Sequence, residues 1–151
     1  MTTSTHAATQ TRPGATLGRR ALAGLVGGIA GGITFGALMA MMGMLPMIAS
    51  MVGSNSPVIG FLIHIVISIM IGLGLTVIFG NLLLTSYPRG IVVGMVYGVI
   101  WWVLGTLMVI PMMFGMPLFT IDTTALFSLT GHLIYGAILG AVAVRILKHR
   151  R

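Results

Sequence analysis

The sequence predicts an all-α, polytopic membrane protein of four transmembrane helices, arranged as two tandem helical hairpins related as parallel repeats. Three observations predict it. Hydrophobic residues make up 57% of the 151-residue chain and charged residues 6%, with a mean hydropathy of +1.10; a soluble domain carries about 25% charged residues. The charges fall in tails and loops, leaving four apolar runs long enough to cross about 30 Å of hydrocarbon. A glycine ladder at Gly28, Gly32, Gly36 and Gly43 returns at Gly90, Gly94, Gly98 and Gly105. Spacings of four and seven put small residues on one helix face, and in lipid such a face lets two backbones approach closely.

Residues 1–20, rich in Thr, Ala and Ser with Pro13 and Gly14, read as a flexible cytoplasmic tail whose composition buries no core. Arg19-Arg20 precedes an apolar run too long for a cleaved signal and without a convincing cleavage site, so an uncleaved first span is expected. The membrane domain covers 21–147. Span one runs about 21–47 and ends near Pro46; its length favours a tilt or a bend. Gly53-Ser54-Asn55-Ser56-Pro57 is a turn, and span two is about 58–80. Thr85-Ser86-Tyr87-Pro88-Arg89 closes the first half. Span three is about 90–111, a loop over Met112–Thr123 holds Pro117 and Asp122, and span four is about 124–147. Residues 148–151 form a basic tail.

More than glycine repeats. Span two reads His64, Ser68, Gly72 and span four reads His132, Gly136, Gly140, each a histidine followed by small residues one and two turns later. Two spans per half make the repeats parallel, related by an axis along the membrane normal. On this plan spans one and three are expected to pack through their ladders, with Gly136 and Gly140 adding a small face to span four.

The eight basic residues, Arg12, Arg19, Arg20, Arg89, Arg145, Lys148, Arg150 and Arg151, lie in the tails or the central loop. The positive-inside rule then places both termini in the cytoplasm, with the protein spanning the plasma membrane. The basic residues meet anionic headgroups, so the formal net charge of +7 does not point to nucleic acid. The expected partners are the bilayer itself and, through small-xxx-small faces, further copies or a larger membrane complex.

His64 and His132 fall about seven and eight residues into their spans, at similar depth below the outer surface. Ionisable residues within membranes are costly and commonly functional. They either donate hydrogen bonds to a neighbouring helix or ligate a metal, haem b or copper. Ten of the thirteen methionines lie toward the outer half: Met39, Met41, Met42, Met44, Met47, Met51, Met108, Met112, Met113 and Met116. Thioethers suit Cu(I), and they also fill irregular packing. Met44, Met47, Met112 and Met113 are the candidate soft ligands beside the histidines. Trp101 and Trp102 lie mid-span, where an indole N–H needs a partner; one is expected to fill a gap between helices and the other to meet lipid.

Other chemistries fail. The single acid, Asp122, makes no general acid/base pair. Ser128, His132 and Asp122 compose a triad only on paper, without a nucleophile elbow. The glycine motifs follow no strand, which removes phosphate-loop readings. No buried acid supports a proton-coupled carrier, and the absence of cysteine removes disulfides and thiolates.

Through Ile59–Ser68 (IGFLIHIVIS), Tyr97–Gly105 (YGVIWWVLG) and Gly131–Gly140 (GHLIYGAILG), the chain resembles a family of small bacterial and archaeal membrane proteins with four predicted helices and no assigned function. The likeness covers about 21–145. It implies an integral membrane protein with His64, His132, Trp101 and Trp102 at motif positions, and carries no activity or ligand. The functional expectation is a non-enzymatic accessory or scaffold subunit. The alternatives are a redox or metal-handling protein using His64 and His132, and a small-solute channel.

Overall fold

The computed structural model describes residues 15–83 and 86–148; the remainder of the predicted tails, including Arg12, Arg150 and Arg151, and Thr85 of the central loop lie outside them. The described residues are helical: α1 (Leu17–Met41), α2 (Leu45–Ser50), α3 (Pro57–Leu83), α4 (Tyr87–Leu104), a π-helical turn (Gly105–Val109), α5 (Ile110–Phe114) and α6 (Thr123–Lys148). Four apolar spans result, Leu17–Met41, Pro57–Gly80, Tyr87–Phe114 and Thr123–Lys148. In hydrocarbon every backbone N–H and C=O must be satisfied within the segment, which makes helix the only form such runs can take. The first helix starts at Leu17, so Arg19 and Arg20 belong to it and not to the tail.

Span one is shorter than the expected 21–47. Gly43, at φ +68°, stops it: the Gly43 amide donates to the Ala40 carbonyl (3.1 Å) and that of Met44 to the Met39 carbonyl (2.9 Å). That pair of bonds is the Schellman ending, which needs a residue tolerant of the left-handed region. Pro46 then sits in the first turn of α2, where its missing N–H costs nothing. Gly43 is therefore a helix stop and not a packing glycine.

The helices stand in the order α3, α1, α6, α4, and the apolar stretches of α1 and α6 are 50% and 44% buried inside the bundle against 28% and 22% for those of the spans holding α3 and α4. Each hairpin closes on backbone. A Cβ added at Gly28 would lie 2.7 Å from the Ser68 carbonyl oxygen, and one at Gly32 would lie 2.7 Å from Ser68 Cβ. At Gly94 it would run into the Gly136 carbonyl, and at Gly98 into that of His132; Gly140 meets Gly90 in the same way. The ladders thus pack each hairpin's own two spans together. Among the described residues α1 and α4 make no contact, which corrects the expected pairing of spans one and three. Gly105 is a second correction: it opens the π-helical turn, and a Cβ there would meet nothing within 4 Å.

The hairpins join through α1 and α6. Gly27 and Gly31, on another face of α1, admit Leu139 and Tyr135; their added Cβ atoms would lie 2.8 Å from the Leu139 and Tyr135 side chains. A two-fold axis would make the contact of α3 with α4 equivalent, yet those helices touch only marginally. The sequence shows why. At the 62-residue offset that superposes the ladders, Gly27 and Gly31 correspond to Arg89 and Val93, side chains too large for the same close approach. The bundle is closed along α1 and α6 and open between α3 and α4.

At the basic end Arg19 donates to the carbonyls of Ile146 (2.6 Å) and Leu147 (3.2 Å), and Arg20 to that of Val77 (2.8 Å). Guanidinium groups there satisfy carbonyls near helix C-termini and complement their dipoles.

Gly94→Leu forces the α4–α6 backbones apart and is expected to lower stability by at least about 3 kcal/mol, the upper range for an overpacked core. Gly105→Leu is expected to be tolerated. Thermal unfolding of both variants in detergent reads the contrast, and equal losses would contradict the packing described.

Candidate functional site

The gap between α3 and α4 widens, at the end opposite the arginines, into a chamber of about 440 Å³, within the range of small-molecule sites. Its walls come from every span. Met39 faces it from α1, Met44 from the α1–α2 connection and Met47 from α2, His64, Ser68 and Ile71 from α3, Trp101 and Thr106 from α4 and the π-helical turn, and Ser128, His132 and Tyr135 from α6. The loop before α6 adds Met116 and Asp122.

Both histidines reach this chamber, and Phe35 of α1 links them. Its ring makes edge contacts with His64 (centroids 5.1 Å apart) and with His132 (4.8 Å). Phe35 fits because Gly131 opposite has no side chain; a Cβ there would strike the ring. The imidazoles therefore share a site, with the Phe35 ring in edge contact with each.

The two imidazoles have different surroundings. His64 is buried, with Nε2 at 3.5 Å from Ser68 Oγ, the outer limit of a hydrogen bond. His132 Nδ1 lies 2.8 Å from the Ser128 carbonyl oxygen. A carbonyl only accepts, so Nδ1 carries the proton, and the neutral ring keeps its lone pair on Nε2, an assignment that follows from the partner. Ser128 Oγ in turn pairs with Thr106 Oγ1 (2.8 Å), tying α6 to the π-helical turn. Tyr135 Oη donates to the Ser68 carbonyl (2.6 Å) and Tyr97 Oη to the Ile71 carbonyl (3.2 Å). These two bonds hold α3 to the second hairpin where backbone contact is sparse.

Of the candidate soft ligands, Met44 and Met47 line the chamber. Met112 and Met113 do not; they are 66% and 49% exposed on the outside of the bundle. In their place stand Met39, Met51 and Met116. The physical cause is the π-helical turn, whose extra residue rotates the following helix by about 100° relative to an unbroken one. Asp122 caps α6: its Oδ1 accepts from the Ala125 amide (2.7 Å). Among the described residues no group of three His, Cys, Asp or Glu could hold a metal ion.

The tryptophans divide differently from the expectation. Trp102 is buried and donates from Nε1 to the Ala125 carbonyl (2.9 Å), filling the α4–α6 gap. Trp101 lines the chamber, and its Nε1 is the one buried side-chain polar atom without a hydrogen-bond partner among the described residues. Phe35 and Tyr135 were not singled out from sequence. The available signals were a lone aromatic in a glycine run and a mid-span phenol needing an acceptor.

Compared with models of protein families, with curated proteins and with solved structures, the chain finds no match.

Opposite signs are expected for the two indoles. Trp102→Phe loses a made hydrogen bond and is expected to destabilise by about 1–2 kcal/mol, whereas Trp101→Phe removes an unpaired buried donor and is expected to be neutral or stabilising. Unfolding midpoints in detergent measure both, and a larger loss for Trp101→Phe would contradict the assignment.

Proposed function

We propose that this integral membrane protein is a non-enzymatic binding protein that holds a small guest in the chamber between its hairpins. The observation that carries the reading is the chamber itself: it is lined mainly by thioether, aliphatic and aromatic groups, with a few neutral polar groups converging from α3, α4 and α6. Apolar walls with a small number of placed polar groups are the usual composition of a ligand site.

Two features favour this over the other roles expected from sequence. The glycine faces that would serve a scaffold are occupied by the chain's own helices, so they are not free to recruit a partner. The basic half of the bundle is filled by Leu75, Leu139 and Val144, each no more than 1% exposed, which favours a one-ended chamber over a channel. The single acid is engaged in capping α6, in keeping with a protein that binds without catalysing. We place the basic end in the cytoplasm, because Arg19, Arg20, Arg89, Arg145 and Lys148 lie together there; the chamber then belongs to the outer leaflet.

Native mass spectrometry of the protein extracted from its own membranes tests the reading, with a C-terminal reporter, expected to read cytoplasmic, fixing the orientation. A bound mass is expected that Gly105→Phe, adding bulk at the chamber wall, reduces at least tenfold while leaving the fold intact. Identical adducts in both proteins would remove the chamber as the binding site.

A further inference from the structure

The donors around the chamber specify a kind of guest. Five thioethers line it: Met39, Met44, Met47 and Met51 from one side, and Met116 from the loop opposite. Three of the four on the first side, Met44, Met47 and Met51, are only half-buried. A thioether on an unbranched, freely rotating side chain adapts to a ligand without moving backbone. Packing alone calls for no such concentration on the walls of a cavity, where side chains have space and not partners in front of them.

The second observation is the state of His132. Its Nδ1–H is held by the Ser128 carbonyl at 2.8 Å, which leaves the Nε2 lone pair unprotonated on a ring that lines the chamber. Metal-ligating histidines almost always donate their other ring N–H to such a carbonyl, which fixes the ring and raises its basicity. Phe35, itself packed against His64, sets its edge against that ring.

The third is charge. Thioethers, imidazole and hydroxyls are neutral, and the one acid on the rim, Asp122, is the single negative charge present, held at the start of α6 by the Ala125 amide. A divalent ion in this low-dielectric site would exceed that charge and carry a heavy desolvation cost. A monovalent soft ion would not, and it bonds well to sulfur and imidazole.

We propose that the chamber is a Cu(I) site in which His132 Nε2 and thioethers drawn from Met39, Met44, Met47 and Met116 bind the ion. This rests on the chamber-binding reading and narrows its guest to a soft monovalent cation. Binding involves no electron transfer: the ion enters as Cu(I) and the neutral ligands lose no proton.

The test is competition between the purified full-length protein and a chromophoric Cu(I) chelator in detergent under reductant, with Ag(I) as a redox-inert second probe. The wild-type chain is expected to take up one Cu(I), with sulfur scatterers in its X-ray absorption spectrum. His132→Leu and the double variant Met44→Leu/Met47→Leu are each expected to weaken binding at least tenfold. The Leu replacements of Met nearly conserve volume, so the double variant keeps the test alive if His132→Leu does not fold. Uptake unchanged in both variants would place the copper elsewhere and overturn the site, as would no uptake by the wild type. A native guest displaced by Gly105→Phe, in a wild-type protein that takes no Cu(I), would sink the copper proposal alone; the absence of both would sink the chamber reading too.

Discussion

The structure depends on backbone-to-backbone contact at glycine. Helices in lipid gain nothing from hiding apolar surface, because the solvent is as apolar as they are; they associate through close packing. In this chain the closest packing is reached where a glycine on one helix meets a carbonyl on the next, as Gly94 meets Gly136 and Gly28 meets Ser68. Any side chain at those points would hold the helices apart. The glycines therefore determine which helices can be neighbours.

The chamber follows from the limits of that device. α1 carries two glycine faces, one for α3 and one for α6, whereas α4 carries one, for α6. Where a second face on α4 would have closed the bundle, the sequence has Val93 and Arg89. The helices α3 and α4 stay apart, stitched by Tyr97 and Tyr135 through carbonyls of α3. The space left at the far end receives the histidines and thioethers. Site and scaffold are thus consequences of one distribution of small residues.

The four spans, their limits at one end and the importance of the ladders were legible in the sequence, because length, hydropathy and four-residue spacing are local properties. The partners of the ladders were not, since a small face states how closely something can approach and not which helix does so. Gly43 continued the ladder's spacing yet ends a helix, because glycine serves close approach and positive φ equally well. Met112 and Met113 were assigned to the site by their place in a loop toward the outer half; they fall instead on the short helix α5 beyond the π-helical turn and stand outward. His64 and His132 converge as their matching depths suggested, but the intervening contact is Phe35, a residue whose role depends on Gly131 in another span.

The central claim is that the two hairpins meet through α1 and α6 and not through α1 and α4. The chain has no cysteine, so introduced pairs report without background. Ala23 packs with Ala143 and Val144 in one buried cluster where α1 meets α6, and a disulfide bridge requires Cα atoms within about 7 Å. Mild oxidation in native membranes is expected to cross-link Ala23→Cys with Ala143→Cys rapidly, and to leave Ala23→Cys with Ile91→Cys unlinked. Efficient linkage of the second pair, with none of the first, would contradict the arrangement from which the chamber arises.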